Sequence, residues 1–283
     1  MTGSGAEPAA RQLAQSHSDS RMAFVPGVPP APVTTASLMQ DSAVRLNGMA
    51  VPDASQADTA KPLALPPALV GPYSLRLAAA QGDPSAQYEV AVRLAQGKGD
   101  TDQDLKEAAQ WYQRAATSGF AMAQFRLGTL YERGVGVTTD IARAQVWYSR
   151  AAEQGNVKAM HNLAVLIAAG SGTPDYATAV RWFTEAAERG LSDSQYNLAM
   201  LYENGLGVGK DAKTAYKWLL LAAKSNDAEA KSRRDAVAAT LTPEVRAAIE
   251  DATKAWHARP SDPVANDSRL AGQAWKQRAS RNG

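Results

Sequence analysis

The chain has 283 residues, and 45% hydrophobic content is enough to build a sizeable core. Its 30 Lys and Arg against 28 Asp and Glu leave a net charge of +2, which makes no electrostatic case for a nucleic-acid partner. Cysteine is absent and histidine occurs only at positions 17, 161 and 257, so disulfides and thiolate metal sites are excluded and no metal or cofactor is expected.

Residues 1 to about 70 hold nine of the fifteen prolines and no sustained apolar period, which predicts a disordered linker. No apolar run approaches the ~18 residues of a spanning helix, so no membrane span is expected in this chain.

From Gly71 onward the sequence repeats itself. Trp111, Trp147, Trp182 and Trp218 lie 36, 35 and 36 residues apart. Seven residues before each stands an aspartate, at 104, 140, 175 and 211, placed to cap a helix N-terminus. Eight residues after each stands Gly119, Gly155, Gly190 or Asn226, residues that tolerate the left-handed conformation closing a helix. The alanine pairs 115/116, 151/152, 186/187 and 222/223 recur between them and let a neighbouring helix approach. A second helix follows each Gly or Asn, with small residues at Ala86, Ala123, Ala159 and Ser194, and ends in a glycine-rich turn. Those turns close helices and follow no strand, which favours a loop over a phosphate cradle. The predicted repeats are 84–119, 120–155, 156–190 and 191–226. A polar capping helix over 228–239 and a last helix from the Thr242-Pro243 pair to about Trp256 complete the domain at 71–256. The basic tail, 257–283, is expected to be irregular, with Trp275 loosely held and Trp182 at a buried central interface.

These positions resemble the Sel1-like repeat, a relative of the tetratricopeptide repeat; residues 120–155 match nearly throughout, from Ala123, Leu127, Gly128 and Tyr131 to Trp147, Tyr148 and Gly155. The resemblance implies an all-α, right-handed α-solenoid. More narrowly, residues 70–280 resemble the periplasmic region of the PodJ family of polar localisation factors of alphaproteobacteria. That likeness rests on GPYSLRLAAAQGDPSAQYE at 71–89, AAEQGNVKAMHNLAVL at 151–166, AVRWFTEAAERG at 179–190 and the closing Trp256, Pro260, Asp262, Pro263, Asn266 and Trp275. It implies a periplasmic location within an inner-membrane protein, with the cytoplasm as the alternative, and protein partners; the basic tail with Trp256 and Trp275 suits an anionic polymer such as peptidoglycan.

Tetratricopeptide geometry points Met122, Phe125 and Thr129 toward a partner-binding groove. Tyr88, His161 and Tyr196 share the register of Phe125, and Asn162 and Asn197 flank that column; together they form the candidate site, against the alternative that the rings pack adjacent helices. No Ser, Cys or carboxylate lies at a spacing that would orient His161 for catalysis. The expectation is a non-catalytic scaffold. A cell-wall enzyme or its activating subunit, and a cytosolic or secreted repeat adaptor outside the polar family, stand as alternatives.

Overall fold

A computed structural model describes residues 64–96, 102–169, 174–225 and 227–279; the expected linker over 1–63, the turns at Gly97–Gly99 and Gly170–Gly172, and Asn226 lie outside the described residues. All regular structure in the described part is helical. A short 3-10 turn over Ala68–Val70 leads into α1 (Tyr73–Ala80). Four helix pairs follow, each made of a helix A and a helix B. They are α2 (Pro84–Ala95) with α3 (Asp102–Thr117), α4 (Ala121–Arg133) with α5 (Ile141–Glu153), α6 (Val157–Ala169) with α7 (Tyr176–Glu188), and α8 (Ser192–Asn204) with α9 (Ala212–Ala222). Beyond them lie α10 (Ala228–Ala238), α11 (Pro243–Lys254), a single turn α12 (Pro263–Asn266) and α13 (Ser268–Ala279).

The helix starts follow from local chemistry. Asp140, Asp175 and Asp211 each accept hydrogen bonds from backbone N–H groups of the first turn that follows, and Thr242 does the same ahead of Pro243. Asp104 departs from this pattern. Helix α3 begins two residues earlier, at Asp102, so Asp104 sits inside the first turn, where its charge still favours the positive helix end. The B helices close at Gly119, Gly155 and Gly190, with φ between +83° and +86°. There the next two amides turn back onto the alanine pair: Gly119 N–H donates to Ala116 and Phe120 N–H to Ala115, with the same pairing in the next two repeats. The alanine pair therefore serves closure as well as close packing.

Each helix packs on its neighbours in sequence, so every A helix is clamped between the B helix of its own repeat and that of the repeat before. The buried core forms two clusters, one running from Val70 to Leu163 and joined by Ala186, Ala271 and Trp275, the other from Ala164 to Ala238. Trp182 and Ile167 lie against both, partly buried, where the two clusters meet. Trp111, Trp147 and Trp218 are buried, but Trp182 is only partly so, which corrects its expected place in a closed central interface.

Candidate functional site

The eight candidate residues lie on the A helices, but the column they form is closed. Tyr88, Met122, Phe125, Thr129, His161, Tyr196 and Asn197 are buried, and Asn162 keeps partial exposure. Tyr88, Phe125 and His161 each pack against the residue that follows the tryptophan of their own repeat. Tyr88 meets Tyr112 with ring centroids 5.7 Å apart, Phe125 meets Tyr148 at 6.0 Å, and His161 meets Phe183 at 5.6 Å. The rings thus join helix A to helix B within a repeat instead of lining an open groove. The aromatic residue after Trp111, Trp147 and Trp182 was the sequence signal for this pairing.

Several polar groups inside the stack bond to one another. The Tyr148 hydroxyl donates to Glu132 (2.5 Å), accepts from Asn162 Nδ2 (3.0 Å) and lies 3.2 Å from Thr129 Oγ1. Burial, and then the Glu132 carboxylate, push its pKa far above the ordinary phenol range, so it stays protonated and donating. Tyr196 donates to Glu229 across the next repeat interface (2.7 Å). His161 Nδ1 sits 2.8 Å from Ser194 Oγ, so the structure supplies the serine that sequence spacing did not reveal. Both side chains are buried, Ser194 completely, and neither is presented to a substrate. A further ladder went unnoticed in the sequence. Gln87, Gln124 and Gln195 each donate from Nε2 to a carbonyl at the end of the preceding helix, Ala79, Ala116 and Ala187, at 3.1 to 3.2 Å. Its signal was a glutamine directly before the column residue in the first, second and fourth repeats, replaced by Met160 in the third.

The largest departure is the tail. Residues expected to be irregular form α12 and α13, capped by Asp262 and Asp267, and run back along the repeats as a strap. Arg259 N–H donates to the Glu188 carbonyl at 2.7 Å, and its guanidinium pairs with Glu185 and Glu188. Asn156 donates to the Ala265 carbonyl, while Asn266 accepts from Val157 N–H (2.8 Å) and donates to the Gly155 carbonyl (3.0 Å). Helix α13 then lies on α2, with Ala271 and Trp275 buried, Ser268 Oγ 2.7 Å from the Tyr88 hydroxyl, and Arg278 forking onto Asp83 at 2.7 and 2.8 Å. A side chain at Gly272 would meet the Glu89 carboxylate, the flexible end of that side chain, which would have to move aside. The tail looked loose in sequence because its partners are up to 195 residues away.

The Sel1 repeat model matches residues 84–120, 121–156, 157–191 and 192–227, together about half of the chain and within a residue or two of the helix pairs above. The chain belongs to the Sel1 repeat family. Among solved structures, a Sel1 repeat protein from Oxalobacter formigenes is 30% identical, with 62% of this chain and 72% of that one covered and a TM-score of 0.52. A protective antigen present in uropathogenic Escherichia coli strains, displaying an SLR fold, is 27% identical over 74% of this chain and 48% of its own, with a TM-score of 0.48. No curated protein matches the sequence. Sel1 repeat proteins generally act as protein-interaction scaffolds or adaptors. Among the described residues no helix is long and apolar enough to cross a membrane.

Proposed function

We propose that this chain is a non-catalytic scaffold that holds polypeptide segments of partner proteins along the turns joining its repeats. The observation that carries this reading is the strap: the repeat stack already binds a polypeptide, its own residues 258–279, through backbone groups and anchoring side chains at three successive repeats. A surface that holds a backbone carbonyl with Asn156 and a side-chain amide with the Val157 N–H suits extended protein ligands in general.

The finer form of the proposal draws on the resemblance of residues 70–280 to the PodJ periplasmic region. There the chain sits in the periplasm as part of an inner-membrane protein and positions a polar organising complex. Peptidoglycan is a second ligand, for which the exposed Arg269 and Lys276 of α13 supply positive charge.

The general reading is tested by ending the chain after Trp256 and titrating a synthetic 257–283 peptide, labelled for fluorescence anisotropy, onto the shortened protein. Saturable binding that an Asn156→Ala change weakens at least tenfold is expected; a flat titration on a protein with intact helical signal would sink it. The finer reading predicts a fluorescent fusion of the parent protein focused at a cell pole and co-sedimentation of the chain with purified sacculi, weakened by Arg269→Ala with Lys276→Ala. Uniform peripheral fluorescence would reject the polar role, and no sedimentation the peptidoglycan role.

A further inference from the structure

The third repeat breaks the internal pattern in two places that meet in space. In the first and second repeats an arginine three residues after the tryptophan lies over its ring: Arg114 over Trp111 at 4.4 Å and Arg150 over Trp147 at 4.9 Å. In the fourth, Lys217 covers Trp218 at 4.7 Å. In the third, the corresponding position is Glu185, drawn away by Arg189 and the strap residue Arg259, and among the described residues no cation lies over Trp182. The second break is Met160, which replaces the glutamine that elsewhere donates to the end of the preceding helix. The Ala152 carbonyl accordingly accepts from the Gln154 and Gly155 N–H groups and receives no glutamine side chain.

Between these two substitutions opens a cavity of about 510 Å³, lined by Ala152, Glu153, Met160, Trp182 and Glu185 among others. It lies where the two core clusters meet, which is why the missing side chains are not filled in by neighbours. Its lining combines an indole that no cation covers, the apolar Met160 side chain and the exposed acidic residue Glu153. Arg181 and Arg189 also line it; Arg189 is committed to Glu185 and to the Glu185 carbonyl, leaving Arg181 as the repelling charge.

We infer that this cavity receives an arginine side chain of a partner protein, its guanidinium stacked on Trp182 and donating to the Glu153 carboxylate. The group that the other repeats supply from their own chain is thus supplied here in trans. Guanidinium fits because it carries five donors and no acceptor, stacks on indole, and matches a carboxylate in a fork. The inference deepens the scaffold reading and rests on it, naming one anchor by which a partner is held.

The test uses the full chain, labelled with nitrogen-15, with the Trp182 indole N–H signal assigned by a Trp182→Phe variant. Three probes are titrated: N-acetyl-arginine methylamide, its citrulline counterpart with the same shape but no charge, and the norleucine counterpart. The arginine probe should shift the Trp182 signal saturably, with the citrulline probe at least fivefold weaker and norleucine inert. Glu153→Gln should weaken the arginine probe severalfold without moving the melting temperature, and Met160→Gln, which restores the repeat glutamine, should abolish the shift. Equal response to norleucine would make the cavity merely apolar, preference for N-acetyl-glutamate methylamide would assign it to Arg181 and an anion, and no response to any probe would leave no site; each overturns the inference. None of these failures touches the strap-peptide titration, so the scaffold reading and the arginine anchor are judged separately.

Discussion

Replacing Trp275 by alanine removes the ring that seats α13 on α2. The indole is 7% exposed, and cutting a large buried aromatic to alanine costs about 3 to 5 kcal/mol when the surroundings cannot collapse into the space. Helix α13 stands at the end of the described chain and can lift away without parting the repeats, so the loss is drawn from strap docking and not from the global unfolding free energy. A loss of about 3 kcal/mol corresponds to roughly a 150-fold more frequent opening of the strap. Hydrogen exchange followed by mass spectrometry should show that factor in α13 amides while α6 to α8 keep their protection. Trp275→Phe should cost far less, about 1 kcal/mol, because the indole Nε1 is buried without a hydrogen-bond partner and its removal relieves an unmet donor. Unchanged α13 exchange in the alanine variant would refute the docking. Equal loss of protection in α6 to α8 would show that the strap and the repeats open together.

Strap docking should also weaken in acid. At Asp83 burial is the largest single influence and opposes ionisation, but the hydrogen bond from Arg278 and those from the Ala86 and Ser85 amides together hold its pKa below the usual carboxylate range; at Glu185 the Arg189 hydrogen bond, against burial and helped by Arg259, does the same. Folded-state values below the unfolded ones mean that this stabilisation is complete above about pH 5 and fades as pH falls through the depressed values, so the opening of α13, taken from pH 6 to 3 as amide exchange divided by the intrinsic rate at each pH, should rise toward the acid end, and Asp83→Asn should flatten the rise. Gly128→Ala should lower stability by about 1 to 3 kcal/mol in thermal melts, since the new Cβ would stand 2.7 Å from the Tyr148 ring and displace a hydroxyl that holds Glu132 and Asn162. Trp147→Ala should cost more than Trp182→Ala, by about 1 kcal/mol or more, because Trp147 is buried under Arg150 whereas Trp182 borders a cavity; equal melting temperatures would contradict the described difference between repeats 2 and 3.

Local chemistry written at a constant spacing made the solenoid legible before any coordinate was known. Asp140, Asp175 and Asp211 cap helices whatever their surroundings, Gly119, Gly155 and Gly190 close them, and the tryptophan period sets the repeat length, because each signal acts within a turn or two of itself. Which face of an A helix stays open was not written that way. Tyr88, Phe125 and His161 are exposed or buried according to the two B helices that clamp them, and their period is the same in either case. The strap was beyond sequence for a related reason: Arg278 meets Asp83 across the whole stack, and only stacking four repeats brings residues so distant in the chain within reach of one another. The cavity beside Trp182 lay between these limits. Met160 and Glu185 could be seen to break the pattern, yet that both breaks open onto one space, with no neighbouring side chain moving in, was decided by how the third repeat packs on the second.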